Sequence, residues 1–256
     1  MKKYLILLLA GLVIFTGCGK DSKKEEPKKE EKKEVVIETS PNVNFDLIDD
    51  QYKETLDEYL KYVPMRKIDI FSNDAYSGKK LSVDNASNGL LAISSADVYK
   101  RKDPEIKSCG EDIETCAICF DSNNCILRSE MVEKLDLYYN KSVLPSEIMK
   151  DLYSKLDLDI EYTNDVLKIS KVLSFNTNDN EFYIIEQAAF AYKNGENIDV
   201  YNTTEKDEKI LSIKSNKIDS KEVINEVLNN IDKFNKFKHI FKSSNSDYYW
   251  YSTEVE

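Results

Sequence analysis

Residues 166–192 read VLKISKVLSFNTNDNEFYIIEQAAFAY, and this stretch decides the fold. Residues 166–175 and 181–192 are rich in β-branched and aromatic side chains, which is typical of β-strands. Residues 176–180 between them are Asn, Thr, Asn, Asp and Asn. Such residues favour turns, because their short polar side chains hydrogen-bond to the nearby backbone. The stretch therefore predicts a β-hairpin.

The chain after this hairpin predicts more strands and one strong helix. Residues 198–201 and 210–213 have the composition of two further strands. The helix carries a single apolar stripe made of Val223, Ile224, Val227, Leu228, Ile231 and Phe234. We expect Asp219 and Glu222 to form the capping pair at its start. Phe237, His239 and Phe241 alternate with Lys238, Ile240 and Lys242. Together with residues 248–255, this segment predicts a terminal hairpin.

The N-terminal half of the body is predicted to be mainly helical. Apolar residues recur at helical spacing from Asp46 until Pro64, and residues 84–99 form a second candidate. Ser129 is suited to cap a third helix and Pro145 to open a fourth. The expected fold class is therefore α+β: a helical N-terminal half followed by a mostly antiparallel sheet with one covering helix.

The charge balance and the glycine count exclude two classes of protein. The chain has 36 Lys and Arg against 47 Asp and Glu, a formal net charge of −11. Nucleic-acid binding needs clustered basic residues, so DNA and RNA are not expected partners. Only four of the seven glycines lie beyond Gly19, and no nucleotide-binding glycine pattern can be written with them.

The first eighteen residues have the features of an export signal. Lys2 and Lys3 precede an apolar run from Tyr4 to Phe15, which is too short to cross a bilayer as a helix. The run ends in Phe-Thr-Gly-Cys at Cys18. This segment resembles the signal peptide of bacterial lipoproteins, in which a small residue precedes a cysteine that becomes lipidated.

The resemblance implies an anchor, a location and a domain organisation. Residues 1–17 would be the signal peptide, and Cys18 would carry a diacylglyceryl group with palmitate-like acyl chains that hold the protein to the outer face of the cell membrane. Residues 18–40 would be the lipidated cysteine and a charged, disordered tether; residues 19–34 contain seven lysines, six acids and no apolar side chain. Residues 41–256 would fold as the globular domain, with a possible internal boundary near residue 157.

Four further cysteines are the sharpest local signal in the body: Cys109, Cys116, Cys119 and Cys125. Outside the cytosol, two structural disulfides are the leading interpretation, and the sequence does not choose their pairing. A tetrahedral zinc site is the first alternative, although only Cys116 and Cys119 have a typical ligand spacing. Thiol exchange at the same two residues is the second alternative, but acidic neighbours disfavour a reactive thiolate.

Other candidate residues have plainer interpretations. His239 is the only histidine and alternates with Phe237 and Phe241, so we expect it in the core and not as a catalytic base. Asp157, Asp159 and Glu161 would line one strand face, where two carboxylates could hydrolyse glycosides or simply be solvated.

Lysines and tyrosines near the C-terminus present a similar choice. Lys236, Lys238 and Lys242 should share one strand face, which would either meet an anionic polymer or protect an exposed edge from strand pairing. Residues 248–251, Tyr-Tyr-Trp-Tyr, would stack on sugar rings or divide between the core and its rim.

The sequence supports a function class but no specific activity. We expect a lipid-anchored extracytoplasmic module for binding or envelope assembly, with an envelope protein or polymer as partner, no cofactor and no catalysis. The alternatives are a solute-binding subunit of a transporter and a thiol-disulfide oxidoreductase.

Overall fold

The described part of the chain forms one large antiparallel sheet, one two-stranded sheet and four α-helices. The computed structural model describes residues 43–44, 50–65, 73–102, 116–121, 124–144, 146–148, 166–177, 180–244 and 247–256. The helices are α1 (Asp50–Leu60), α2 (Asn88–Lys102), α3 (Arg128–Tyr139) and α4 (Lys221–Asn229). The strands are β1 (Val43–Asn44), β2 (Leu81–Ser82), β3 (Cys116–Asp121), β4 (Asn124–Leu127), β5 (Val166–Thr177), β6 (Glu181–Asn194), β7 (Asn197–Tyr201), β8 (Lys209–Lys214), β9 (Lys236–Ser244) and β10 (Asp247–Val255).

The large sheet is built around β6. Strands run in the order β1-β5-β6-β9-β10-β2, and β7 and β8 extend the sheet from β6. The first half of β6 pairs with β9 and its second half with β7, while β5 pairs along almost its whole length on the other side. The predicted hairpins between β5 and β6 and between β9 and β10 are both present.

The expectation of a helical N-terminal half followed by a sheet is wrong. The described chain is mostly antiparallel sheet with few helices, and strands and helices alternate through its N-terminal part. Val43 pairs with Phe175 and Leu81 with Thr253, so two strands from this part join the large sheet. Strands of two residues carry no periodic signal, because their pairing depends on the edge that they meet and not on local propensity.

Helix bounds differ from the expected ones mainly at their ends. The helix expected from Asp46 to Pro64 is α1, and the one expected at residues 84–99 is α2. Residue 145 and residues 149–165, which contain the rest of the expected fourth helix and the possible boundary near 157, lie outside the described residues, as does the whole of residues 1–42.

The cap of α4 is Ser220 and not the expected Asp219. Ser220 has an extended backbone and its side-chain oxygen accepts a hydrogen bond from the Val223 amide at 3.3 Å. The serine therefore satisfies one of the amides that the first turn leaves without a partner. Ile231, which the stripe included, lies in a separate 3₁₀ turn of residues 231–233.

Each face of the sheet has its own apolar cluster. One face packs Phe182, Phe237, Phe241 and Trp250 against residues of α1, α2 and α3. The other face packs the β6 residues Ala189 and Ala191 against Val223 and Val227 of α4. Because successive residues of a strand point to opposite faces, alternate residues of β6 contribute to the two clusters. Among the described helices, none is long and apolar enough to cross a membrane.

Candidate functional site

The cysteines expected to carry structure or chemistry are only partly within the described chain. Cys18 and Cys109 lie outside the described residues. Cys116 and Cys119 fall on β3 and Cys125 on β4, and the strand register places Cys119 opposite Cys125. No group of three or more His, Cys, Asp or Glu suited to a metal ion occurs among the residues that the structure describes. Disulfides, zinc and thiol exchange stay predictions.

A buried polar cluster, which sequence reasoning missed, spans four strands of the large sheet. We call it the Glu186 cluster; it contains Tyr76, Lys168, Ser170, Glu186, His239, Trp250 and Thr253. Glu186 lies at its centre with 1% of its surface exposed. Lys168 and Ser170 donate hydrogen bonds to Oε1 of Glu186 at 2.8 and 2.6 Å. The Tyr76 hydroxyl donates to Oε2 at 2.8 Å and accepts from Lys168 at 2.9 Å.

The protonation of His239 follows from its two partners. The imidazole Nε2 lies 3.1 Å from Oε2 of Glu186, and Nδ1 lies 2.8 Å from Oγ1 of Thr253. An ionised carboxylate only accepts hydrogen bonds, so Nε2 carries the proton. Thr253 then donates to Nδ1, while its oxygen accepts from Nε1 of Trp250 at 3.0 Å. Every polar atom of this chain of contacts has a partner.

Charge and burial set the pKa values of the cluster. Burial by itself would raise the pKa of Glu186, but the Lys168 ammonium group and the hydrogen bond from His239 outweigh it, so the pKa lies well below its ordinary value. Burial lowers the pKa of His239, and Glu186 offsets that effect only in part. Burial, together with the carboxylate of Glu186, raises the pKa of Tyr76. At neutral pH, the cluster therefore holds an anionic Glu186 and a neutral His239.

The cluster has the connectivity of a catalytic triad but not its accessibility. Thr253, His239 and Glu186 follow one another as hydroxyl, imidazole and carboxylate. A nucleophile must reach a substrate, however, and Thr253 and His239 both have no exposed surface. This confirms the expectation that His239 lies in the core beside Phe237 and Phe241. The hydrogen bonds of the cluster connect side chains of β5, β6, β9 and β10 with Tyr76.

Tyr76 belongs to a loop that a second buried carboxylate fixes in place. Asp74 accepts hydrogen bonds from the Tyr76 amide and the Thr204 hydroxyl, both at 2.8 Å. The Thr204 amide in turn donates to the carbonyl oxygen of Tyr76 at 3.0 Å. Gly78 follows with a φ of +82°, which disfavours any residue with a Cβ. The loop before β2 is thus held against the sheet by polar contacts.

The opposite face of β6, β9 and β10 presents a different set of side chains. We call it the Lys–Tyr face and define it by Tyr183, Lys238, Ile240, Lys242, Tyr249 and Tyr251. Tyr183 is the register partner of Ile240 and Tyr249 that of Lys242, which places these residues on one side of the sheet. All six residues are partly exposed, whereas Phe237, His239 and Phe241 on the other side are buried.

The lysines of this face sit over tyrosine rings. The ammonium nitrogen of Lys238 lies 4.3 Å from the centre of the Tyr183 ring, and that of Lys242 lies 3.3 Å from the centre of the Tyr251 ring. Strand β9 lies between β6 and β10, so these lysines do not protect a sheet edge as one interpretation of the sequence required. Tyr248 and Trp250 enter the core, whereas the strand register places Tyr249 and Tyr251 on the Lys–Tyr face. Tyr249 also packs against the apolar core.

The remaining candidates and the missed residues have simple explanations. Asp157, Asp159 and Glu161 lie outside the described residues. Glu186 is the one acid inside the apolar run FYIIEQAAFAY, and it lies on the same strand face as the buried Phe182 and Ile184. An acid on the inward face of a strand is a signal for a buried ion pair, since an unpaired buried charge is strongly destabilising.

Comparisons with known proteins return no match: neither a family model, nor a curated protein, nor a solved structure is similar to this chain.

Proposed function

We propose that the chain is a lipid-anchored extracytoplasmic binding or envelope-assembly module that binds its partner through the Lys–Tyr face and performs no catalysis. The observation that carries the proposal is the face itself. It combines two lysines, three tyrosines and one isoleucine, all partly exposed, on the central strands of the sheet. Tyrosine supplies contact area with little loss of conformational entropy, and such residues are enriched at binding surfaces.

The anchor rests on the N-terminal sequence. An apolar run, a glycine and Cys18 follow one another in the order that lipid-modified proteins use. Two acyl chains on Cys18 would give stable membrane attachment, because one chain alone binds only marginally. The charged tether would then let the domain approach partners outside the membrane.

The Glu186 cluster supports a role without catalysis. Its hydroxyl, imidazole and carboxylate groups are already hydrogen-bonded to one another, and His239 and Thr253 are fully buried. A catalytic set of this kind would need an exposed nucleophile and a pocket for the substrate.

Site-specific photo-crosslinking in the producing cells tests the binding surface. A photoreactive residue replacing Tyr249 should form an adduct with an envelope component. The control is the same residue replacing Lys193, which is exposed near the β6–β7 turn. Equal adducts at both positions, or none at position 249, would contradict binding through the Lys–Tyr face.

Fractionation tests the anchor separately. The full chain should sediment with membranes and carry lipid on Cys18 by intact-mass measurement, whereas Cys18→Ser should remain unlipidated. Unmodified Cys18 in the natural protein would refute the anchor without affecting the binding surface.

A further inference from the structure

We infer that the Lys–Tyr face binds an extended anionic polysaccharide, an inference that rests on the proposed binding function and specifies its partner. The ligand would lay its chain along β9. Its anionic groups would pair with Lys238 and Lys242, and its sugar rings would contact Ile240 and Tyr249.

The two lysines lie on either side of the centre of this face. Lys238 and Lys242 are four residues apart on one strand, which separates their Cα atoms by about 13–14 Å at ~3.4 Å per residue. Ile240 lies midway between them on the same side of β9. Tyr249, which is partly exposed and also packs against the apolar core, lies across from Lys242. The cation–π contacts bring the Lys238 ammonium group toward Tyr183 on β6, the register partner of Ile240, and the Lys242 ammonium group toward Tyr251 on β10. A polymer that runs along β9 would place a sugar ring over Ile240 and an anionic substituent on each side of it.

The lysines are oriented but not neutralised. The Tyr183 and Tyr251 rings hold the two ammonium groups by cation–π contacts, which keep the positive charge available to an anion. Three acids lie at this face: Glu181 is the register partner of Lys242, Glu254 is that of Lys238, and Asp84 accepts a hydrogen bond from the Tyr251 hydroxyl at 3.4 Å. Glu254 pairs with Lys80 at 2.9 Å. Within the described residues, neither Lys238 nor Lys242 forms a salt bridge with a carboxylate.

Net charge favours a narrow polymer over an anionic bilayer. The whole chain carries −11, so a flat anionic surface would also meet its many acidic groups. A single polysaccharide strand can follow β9 and touch little beyond the Lys–Tyr face. Membrane adsorption by this face would also need protruding apolar side chains, whereas Ile240 is only partly exposed.

The test measures binding of end-labelled polygalacturonate to the full chain in neutral detergent micelles by fluorescence anisotropy. Lys238→Gln with Lys242→Gln removes both charges from the face. Lys193→Gln with Lys214→Gln is the matched control, because it changes the net charge equally at two exposed lysines elsewhere. Neutral dextran and labelled micelles of short-chain phosphatidylglycerol are the comparison probes.

We expect the natural chain to bind polygalacturonate and not dextran. The Lys238/Lys242 double variant should bind about three- to tenfold more weakly, the range expected for two exposed ion pairs, while the control double variant should bind like the natural chain. Binding should weaken as salt is added, because the paired charges are exposed. Thermal unfolding should show that the two double variants remain folded.

Three results would overturn the inference. An equal loss of polygalacturonate binding in both double variants would mean that net charge alone drives binding. Binding of the lipid micelles and not of polygalacturonate, dependent on Lys238 and Lys242, would assign the face to a membrane surface. Failure of polygalacturonate to bind, together with a specific crosslink at position 249, would refute the polysaccharide and leave the proposed function standing.

Discussion

Replacing Glu186 by glutamine should destabilise the fold more than any other single loss of a carboxylate in the described chain. Glu186 accepts hydrogen bonds from four side chains, of which Lys168 is charged. A glutamine has one acceptor oxygen, and its amide group would face donors. The substitution would also leave the Lys168 ammonium group without its ion-pair partner.

The burial of the ion pair between Glu186 and Lys168 determines the expected loss of stability. Removing one partner of a buried ion pair costs about 3–5 kcal/mol. The Lys168 side chain is 23% exposed and can turn toward water, so we expect about 3 kcal/mol, the lower end of that range. Substituting both partners, with Lys168→Met added, should recover part of the loss because no unpaired charge is then buried.

Urea denaturation followed by circular dichroism measures this effect. The control is Glu133→Gln, the same chemical change at an exposed position on α3, which should alter the free energy of unfolding by less than about 0.5 kcal/mol. A loss in Glu186→Gln no larger than that of the control would refute the cluster as a major stabilising feature. A double variant less stable than Glu186→Gln would refute the charge argument.

Acid should destabilise the protein through two groups whose pKa values are lowered in the folded state. His239 is neutral in the folded protein but binds a proton below its ordinary pKa of 6.5 in the unfolded chain, so the free energy of unfolding should fall below about pH 6.5. This fall should be smaller near pH 6 in His239→Gln. Urea denaturation midpoints measured across this pH range test the prediction. Glu186 adds a second loss below its ordinary value of 4.5, which Glu186→Gln should lack. Tyr76→Phe removes a hydrogen-bond donor to Glu186 and an acceptor for Lys168, so it should lower the free energy of unfolding by about 1–3 kcal/mol in urea denaturation. The dependence of this free energy on urea concentration should not change. Ser220→Ala should cost about 1 kcal/mol through the lost helix cap and Asp219→Ala clearly less; the reverse order would contradict the cap geometry.

The strong periodic segments were predictable, while short and long-range pairings were not. Residues 181–192 are a run rich in β-branched and aromatic side chains, and residues 237–241 alternate between core and surface positions; both patterns locate strands directly. The two-residue strands β1 and β2 have no sequence pattern of their own. Because both pair with strands of the large sheet, the N-terminal part of the described chain contains strands as well as helices. The capping residue shifted by one position because Ser220 and Asp219 are both good caps, and only the backbone geometry distinguishes them.

The sequence by itself determined the strands of the C-terminal half, the apolar stripe of α4 and the burial of His239, because each depends on the local period of apolar side chains. Only the tertiary structure decided that Glu186, His239 and Lys168 meet, and that β9 is a central strand whose lysines lie on an open face and not at an edge. These contacts join residues up to 53 positions apart, and their formation depends on which strands become neighbours in the sheet. Local periodicity states which way a side chain points, but not which side chain it will face.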